Sequence, residues 1–151
     1  MSWLGRNANA IEALVATVTA LVAVAALIGV KFQLDETGRL QTAAAARDAY
    51  RGHLALAVTQ PAFAAPQDTC ALLQGETATS YVAFVDHLLY SAELMLAAEV
   101  GWAPTFTDHL GAHTGYICSE NGPIGDTTEV RSLLTQFRTD TCFANPTCAA
   151  E

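Results

Sequence analysis

The feature that most constrains this chain is an unbroken run of eighteen uncharged residues, Ala13 to Val30, between Glu12 and Lys31. Most of these residues are Ala, Val, Leu or Ile, and Thr17 and Thr19 are the polar exceptions. An α-helix of this length extends about 27 Å, close to the thickness of the hydrocarbon core of a bilayer. The run therefore predicts one transmembrane helix.

Two other interpretations of the run fit less well. A cleaved signal peptide is supported by small residues at A-x-A spacing, such as Ala23 and Ala25, and by the preceding Arg6. Its apolar core would, however, be about 7 to 15 residues long, which is shorter than this run. A core helix would carry a polar stripe, and none is visible. We divide the chain into an N-terminal segment with the anchor, residues 1–31, and a domain, residues 32–151.

The domain after the run is acidic. The whole chain carries a formal net charge of −8, and all but one of its fifteen acidic residues follow the run. A polyanion would be repelled by this surface, so we expect no nucleic acid binding. The sequence also lacks the polybasic stretch that binds anionic lipid headgroups.

Four cysteines, Cys70, Cys118, Cys142 and Cys148, all follow the run. An even number on one side of an anchor is typical of two disulfides in an oxidising compartment, with three possible connectivities. We expect Cys142 to pair with Cys148, because they close a short loop, and Cys70 to pair with Cys118. Four free thiols in a cytosolic domain are the alternative.

The orientation in the membrane is predicted differently by two signals. Lys31, Arg39, Arg47 and Arg51 follow the run and only Arg6 precedes it, which by the positive-inside rule places the domain in the cytoplasm. The cysteines favour the opposite side. We follow the cysteines, since long domains are translocated largely regardless of their charge.

The domain itself is expected to be helical. Four of its segments are rich in helix formers or carry apolar residues at helical spacing. They are the stretch that ends near Gln60, residues 79–100, residues 106–118, and a stretch that begins at Asp126. Asp126 and Glu129 have capping-box spacing, and Gly38 is a potential break in the first segment. No segment alternates as a strand does. The fold class predicted is all-α, one transmembrane helix followed by a small four-helix domain stapled by disulfides.

His109 and His113 are four residues apart within "DHLGAHTGYICSE", residues 108–120. On one face of a helix two such imidazoles can bind the same zinc or copper ion, and His53 is the candidate third ligand. The pattern lacks the glutamate of H-E-x-x-H and any Cys-x-x-Cys partner. An ordinary amphipathic helix is therefore the preferred interpretation, and no cofactor is expected, with metal or haem as the alternative.

Motifs for covalent cofactors and for catalysis are missing from the sequence. It has no C-x-x-C-H for covalent haem, and no G-x-S-x-G, P-loop or dinucleotide motif. Asp86 and His87 are adjacent, and adjacent side chains on a helix point about 100° apart, so they cannot act as orienter and base. We expect no catalytic residues and no enzymatic activity.

The stretches "YRGHLALAVTQPAFAAPQ" and "YVAFVDHLLYSAELML", the latter followed by a tryptophan, resemble a loose group of small bacterial membrane proteins. The resemblance covers residues 11–120 and rests on helix-packing patterns. It implies an N-terminal span, a helical domain and a bacterial origin, and it carries over no catalytic residues. The localisation expected is therefore the bacterial inner membrane, with a single span and a periplasmic domain.

These observations predict a membrane-anchored, non-catalytic accessory or interaction subunit of a bacterial inner-membrane complex. Its partners would be the membrane, other membrane protein subunits or its own copies. Ala13, Ala16, Ala20 and Ala23 have spacings of three and four that allow close approach of another helix, although an alanine-rich composition explains them equally well. The alternative is a membrane-tethered metal- or haem-binding helical domain.

Overall fold

The structure is a computed structural model that describes residues 8–143 and Cys148. All regular elements in this described part are helical, as predicted, and none is a strand. The elements are α1 (Ala8–Thr59), α2 (Pro61–Ala64), α3 (Thr69–Gln74), α4 (Ala78–Ala98), a short 3₁₀ helix (Val100–Trp102), α5 (Ala103–Gly111), α6 (Thr114–Ile117) and α7 (Thr128–Thr141).

The chain divides into two compact units, Met1–Gln41 and Thr42–Glu151. Helix α1 begins in the first unit and ends in the second. It ends at Thr59, one residue before the predicted end near Gln60. The helix continues through Gly38, so the potential break there does not occur.

The described part of the first unit is an exposed helix. Every described side chain from Glu12 to Gln41 is exposed, and the apolar part is long and apolar enough to cross a membrane, with none of it buried. The hydroxyl of Thr17 donates a hydrogen bond of 2.8 Å to its own helix, and the Thr19 hydroxyl donates one of 2.9 Å. These bonds satisfy the polar groups of the segment within the helix itself, as a hydrocarbon environment requires.

The core of the second unit forms around α4. This helix also passes the length and composition test for a span, but half of its apolar window is buried inside the unit. Its apolar side chains recur at helical spacing and face α7, which presents a second apolar stripe. The fully buried large side chains of this core are Tyr81, Val85, Leu88, Phe106, Leu110, Ile117, Val130 and Leu134.

The prediction of one helix over residues 106–118 is wrong. Helix α5 ends at Gly111, and His113 occupies the N-cap position of the separate helix α6. The backbone N–H of Ala112 donates to the carbonyls of His109 and Leu110, which tightens the last turn of α5. Gly111 also has a low helix propensity. The count of four helices in the domain is not confirmed, because short helices accompany the longer ones.

Helix α7 is capped one residue later than the capping-box pattern predicts. The side chain of Thr127, rather than that of Asp126, accepts a hydrogen bond of 3.5 Å from the backbone N–H of Val130. The turn before it passes through Gly125, whose φ of 85° lies in the left-handed region that favours glycine. That turn sets the register in which Thr127 becomes the cap.

Replacement of the cap tests this register. Thr127→Ala should lower the free energy of unfolding by about 1 kcal/mol, because an N-cap hydrogen bond is lost. Asp126→Ala is the matched control and should cost less, since that carboxylate bonds no N–H of the helix. Urea unfolding of both variants measures the difference, and a larger loss for Asp126→Ala would contradict the observed cap.

The disulfide pairing differs from the expected one. Cys70 pairs with Cys148, at a Cα–Cα distance of 5.2 Å, and Cys118 pairs with Cys142, at 5.5 Å. All four cysteines are therefore oxidised. Both pairs depend on contacts that sequence spacing does not show, since α3 packs against α6 and α6 packs against α7.

Arg138 reinforces the second of these contacts. Its Nε donates a hydrogen bond of 2.9 Å to the backbone carbonyl of Ile117, and its Nη2 donates one of 2.6 Å to the backbone carbonyl of Pro123. These bonds hold the end of α7 beside the segment after α6, so Cys142 meets Cys118 rather than Cys148.

Candidate functional site: a cluster of four histidines

All four histidines of the chain meet inside the second unit, and we call His53, His87, His109 and His113 the histidine cluster. The His53 ring is central, with ring centroids 5.8 Å from His87 and 6.2 Å from His109. The Phe84 ring contacts both His53 and His113, with ring centroids 4.9 Å and 5.9 Å away, respectively. The cluster thus joins residues from α1, α4, α5 and the start of α6.

The hydroxyl of Ser91 links the two helices that carry His53 and His87. It lies 2.8 Å from the carbonyl oxygen of His87 and 3.2 Å from the carbonyl oxygen of Ala49, and Ser91 is fully buried. Because the first carbonyl is on α4 and the second on α1, this contact fixes the spacing of the helices beside the cluster.

His113 is the most deeply enclosed member of the cluster that has a hydrogen-bond partner. Its Nδ1 lies 2.9 Å from the hydroxyl of Tyr81, and 2 % of the residue is exposed. Burial, together with the nearby imidazoles of His53 and His109, lowers the pKa of His113 to about 4. The ring is therefore neutral at physiological pH.

His109 lies at the other side of the cluster and is bonded to α1. Its Nε2 is 2.9 Å from the hydroxyl of Tyr50. The ring of Tyr50 packs edge-on against Trp102 and Phe106, with centroids 5.7 and 5.5 Å apart. The tyrosine and its histidine are thus held in place by aromatic packing as well as by the hydrogen bond.

The Nδ1 atoms set His53 and His87 apart from the other two histidines. The Nδ1 atoms of both rings are buried and have no hydrogen bond within the described part of the chain. His53 is 3 % exposed, and burial, followed by the neighbouring His87 and His109, lowers its pKa to about 4. A buried polar nitrogen without a partner is costly, which marks this pair as unusual.

The three histidines named from the sequence thus lie in one cluster, but not as the sequence suggested. His109 and His113 belong to separate helices, so they do not form a pair on one helical face. In the described residues, no group of three or more His, Cys, Asp and Glu side chains is arranged to hold a metal ion. The metal site of His53, His109 and His113 stays a prediction, and His87 is the fourth member of the cluster.

Removal of the Tyr81 hydroxyl tests how tightly His113 depends on it. Tyr81→Phe should lower the free energy of unfolding by about 1–2 kcal/mol, because it leaves a buried ring nitrogen without its partner. Tyr50→Phe is the matched control and should cost less, since that hydrogen bond is only partly buried. Urea unfolding at pH 7.5 measures both, and equal losses would show that burial does not govern these bonds.

A separate acidic cleft lies on the other side of α4. It has a volume of about 460 Å³ and its carboxylates come from Asp86, Glu93 and Asp126. Burial and then the neighbouring Asp126 raise the pKa of Asp86, and burial and then Asp86 raise the pKa of Tyr116. Among the described residues, no basic side chain lines the cleft itself, and the Arg131 guanidinium lies at its edge, 3.4 Å from the backbone carbonyl oxygens of Gly125 and Asp126. The lining is therefore acidic, and the cleft is suited to a cationic group.

Asp86 and His87 face different surroundings, since Asp86 lines this cleft and His87 lies in the histidine cluster.

Comparison of the chain with protein-family models, with curated proteins and with solved structures finds no match.

Proposed function

We propose that this chain is a single-span bacterial inner-membrane protein whose periplasmic helical domain acts as a non-catalytic accessory or interaction subunit of a larger membrane complex. The observation that carries the proposal is the fully exposed apolar helix of the first unit. Leu21, Leu27 and Phe32 are 64, 71 and 71 % exposed, respectively. Such a surface is stable only in a bilayer or against another apolar helix.

The side of the membrane is argued from the cysteines. All four are paired, and disulfides persist in the periplasm but are reduced in the cytoplasm of most bacteria. A domain that depends on two disulfides is therefore best suited to the periplasmic side.

The interaction role is argued from the acidic cleft. Three carboxylates around one cleft, with a raised pKa at Asp86, hold negative charge that a cationic partner would stabilise. A basic segment of a partner subunit has the matching charge, and complementary charges favour association and correct register. The exposed side chains of Tyr90 and Ile124, which also line the cleft, would add apolar contact with the partner.

The proposal is tested by purification of the tagged full chain from its own membranes in mild detergent. The chain should stay in the membrane after an alkaline wash and should purify with stoichiometric amounts of other subunits. Neutralisation of the cleft by Asp86→Asn and Asp126→Asn should release those subunits, whereas Asp108→Asn, outside the cleft, should not. A monomer without partners would overturn the subunit role, and a soluble chain would overturn the anchor.

A matched pair of variants tests the anchor separately. Val22 and Leu40 are almost equally exposed, at 62 and 61 %, but only Val22 lies inside the predicted span. Val22→Asp should impair membrane insertion, because a carboxylate at the centre of a span costs about 3 kcal/mol. Leu40→Asp should insert normally. Equal insertion of the two variants would contradict the span.

A further inference from the structure

The acidic cleft contains a buried hydroxyl, that of Tyr116. This residue is 7 % exposed and lines the cleft. Its backbone carbonyl accepts a hydrogen bond of 2.8 Å from Ser119, but its hydroxyl has no hydrogen-bond partner among the described residues. Burial and then the charge of Asp86 raise the pKa of Tyr116, so the hydroxyl end of the ring is the end near the cleft carboxylates. A buried hydroxyl without a partner at this place indicates a ligand.

The carboxylates of the cleft also lack ion pairs in the described part of the chain. The ion pairs found there both lie within α1, so none of them involves Asp86, Glu93 or Asp126. The Arg131 guanidinium at the edge of the cleft donates to the backbone carbonyls of Gly125 and Asp126 instead. The cleft therefore presents several hydrogen-bond acceptors whose donor has to come from a ligand.

The size and lining of the cleft indicate an organic cation. Its volume of about 460 Å³ lies in the range of pockets that hold organic groups, roughly 300–1,000 Å³. The side chains of Leu89, Ile124 and Val130 add apolar surface to its wall. In the described residues, no group of three His, Cys, Asp or Glu side chains is arranged to hold a metal ion. A charged group on an alkyl chain matches this mixture of surfaces.

The arrangement of the acceptors favours an ammonium group over a guanidinium group. Asp86 and Glu93 lie on α4, Tyr116 lies on α6, and Asp126 lies just before α7. A guanidinium is a planar fork that matches the two oxygens of one carboxylate. An ammonium group has three N–H donors that rotate toward separate acceptors. A quaternary ammonium has no N–H to donate to the Tyr116 hydroxyl.

We propose that the acidic cleft binds the side-chain ammonium group of a lysine in the basic segment of the partner subunit. The three carboxylates and the Tyr116 hydroxyl accept its hydrogen bonds, and the apolar wall packs against its four-carbon stem. The inference rests on the subunit role proposed above and names the group that the cleft recognises. It also assigns a specific role to Tyr116, which charge complementarity alone does not.

The experiment uses the full chain in detergent and n-butylammonium as the probe, because this ion is the lysine side chain without its backbone. Binding is measured by NMR titration at constant ionic strength. Tetramethylammonium, which has the same charge but no N–H donor, should bind at least about tenfold more weakly. Tyr116→Phe and Glu93→Gln should each weaken butylammonium binding about tenfold, because each removes an acceptor. Asp108→Asn, outside the cleft, should leave it unchanged.

Urea unfolding separates this role of Tyr116 from a structural one. Tyr116→Phe should not lower the free energy of unfolding, because the hydroxyl that it removes has no partner among the described residues. No binding of butylammonium, equal binding of the two cations, or unchanged binding in Tyr116→Phe would each overturn the proposal.

A displacement assay identifies the source of the ammonium group. Butylammonium in excess should release the co-purified subunits, and tetramethylammonium at the same ionic strength should not. Binding without release would assign the cleft to a free amine and overturn the lysine assignment. Co-purification is scored before any amine is added, so a failure of the subunit role is distinguished from a failure of this inference.

Discussion

Reduction of the two disulfides is expected to unfold the helical domain at 37 °C. Cys70 and Cys148 are 78 residues apart and Cys118 and Cys142 are 24 apart. Cross-links over loops of these lengths stabilise by about 4.5 and about 3.5 kcal/mol, respectively, mainly by restricting the unfolded chain. Together these values are comparable with the whole stability of an ordinary domain, about 5–15 kcal/mol.

Thermal unfolding with and without a thiol reductant measures this effect. The variant Cys70→Ser/Cys148→Ser should lose more stability than Cys118→Ser/Cys142→Ser, because its loop is longer. Peptide mapping without reduction should recover the Cys70–Cys148 and Cys118–Cys142 cross-links. An unfolding temperature that does not respond to reductant, or a Cys142–Cys148 peptide, would contradict the observed pairing.

The parts of the fold that sequence predicted are those that local patterns determine. The apolar run predicted the exposed first part of α1, and Pro61 predicted its end near Gln60. The apolar stripes of α4 and α7 predicted both helices within a few residues. In each case the signal and the structure lie within the same few turns of helix.

The parts that sequence missed depend on tertiary contacts. The break at Ala112 separates two segments whose composition permits one helix, and the turn at Gly125 moves the α7 cap to Thr127. The disulfide pairing follows from the packing of α6 between α3 and α7, which no spacing shows. The prediction that Cys142 pairs with Cys148, the cysteine nearest in sequence, is wrong because folding brings Cys142 to Cys118 and Cys148 to Cys70.

The histidine cluster shows the same limit for a site. His109 and His113 are close in sequence, whereas His53 and His87, whose Nδ1 atoms have no partner in the described part of the chain, are 34 residues apart. Local sequence patterns predict that His53 and His87 each lie in a helix. They do not show that the two helices, α1 and α4, meet at the level of these residues. The contacts of Ser91 and of the His53 ring show it.

Acidification of the metal-free chain is expected to destabilise the domain between about pH 6.5 and pH 4. In the folded chain the pKa values of His53 and His113 are lowered from 6.5 to about 4. Between these limits the unfolded chain binds protons that the folded chain excludes, so the free energy of unfolding falls as the pH falls. The effect is absent above pH 6.5 and stops growing below pH 4. Each histidine contributes at most about 3 kcal/mol.

Urea unfolding from pH 7.5 to pH 4.5, with a chelator present, measures this loss. The imidazole proton resonances of His53 and His113 should move only near pH 4, and they report these two rings directly although carboxylates titrate in the same pH range. His113→Gln removes one titrating group, so its stability should depend less steeply on pH than that of the native chain. Resonances of His53 and His113 that titrate near pH 6.5 would show that the cluster is open to water, because burial is the main cause of both lowered pKa values.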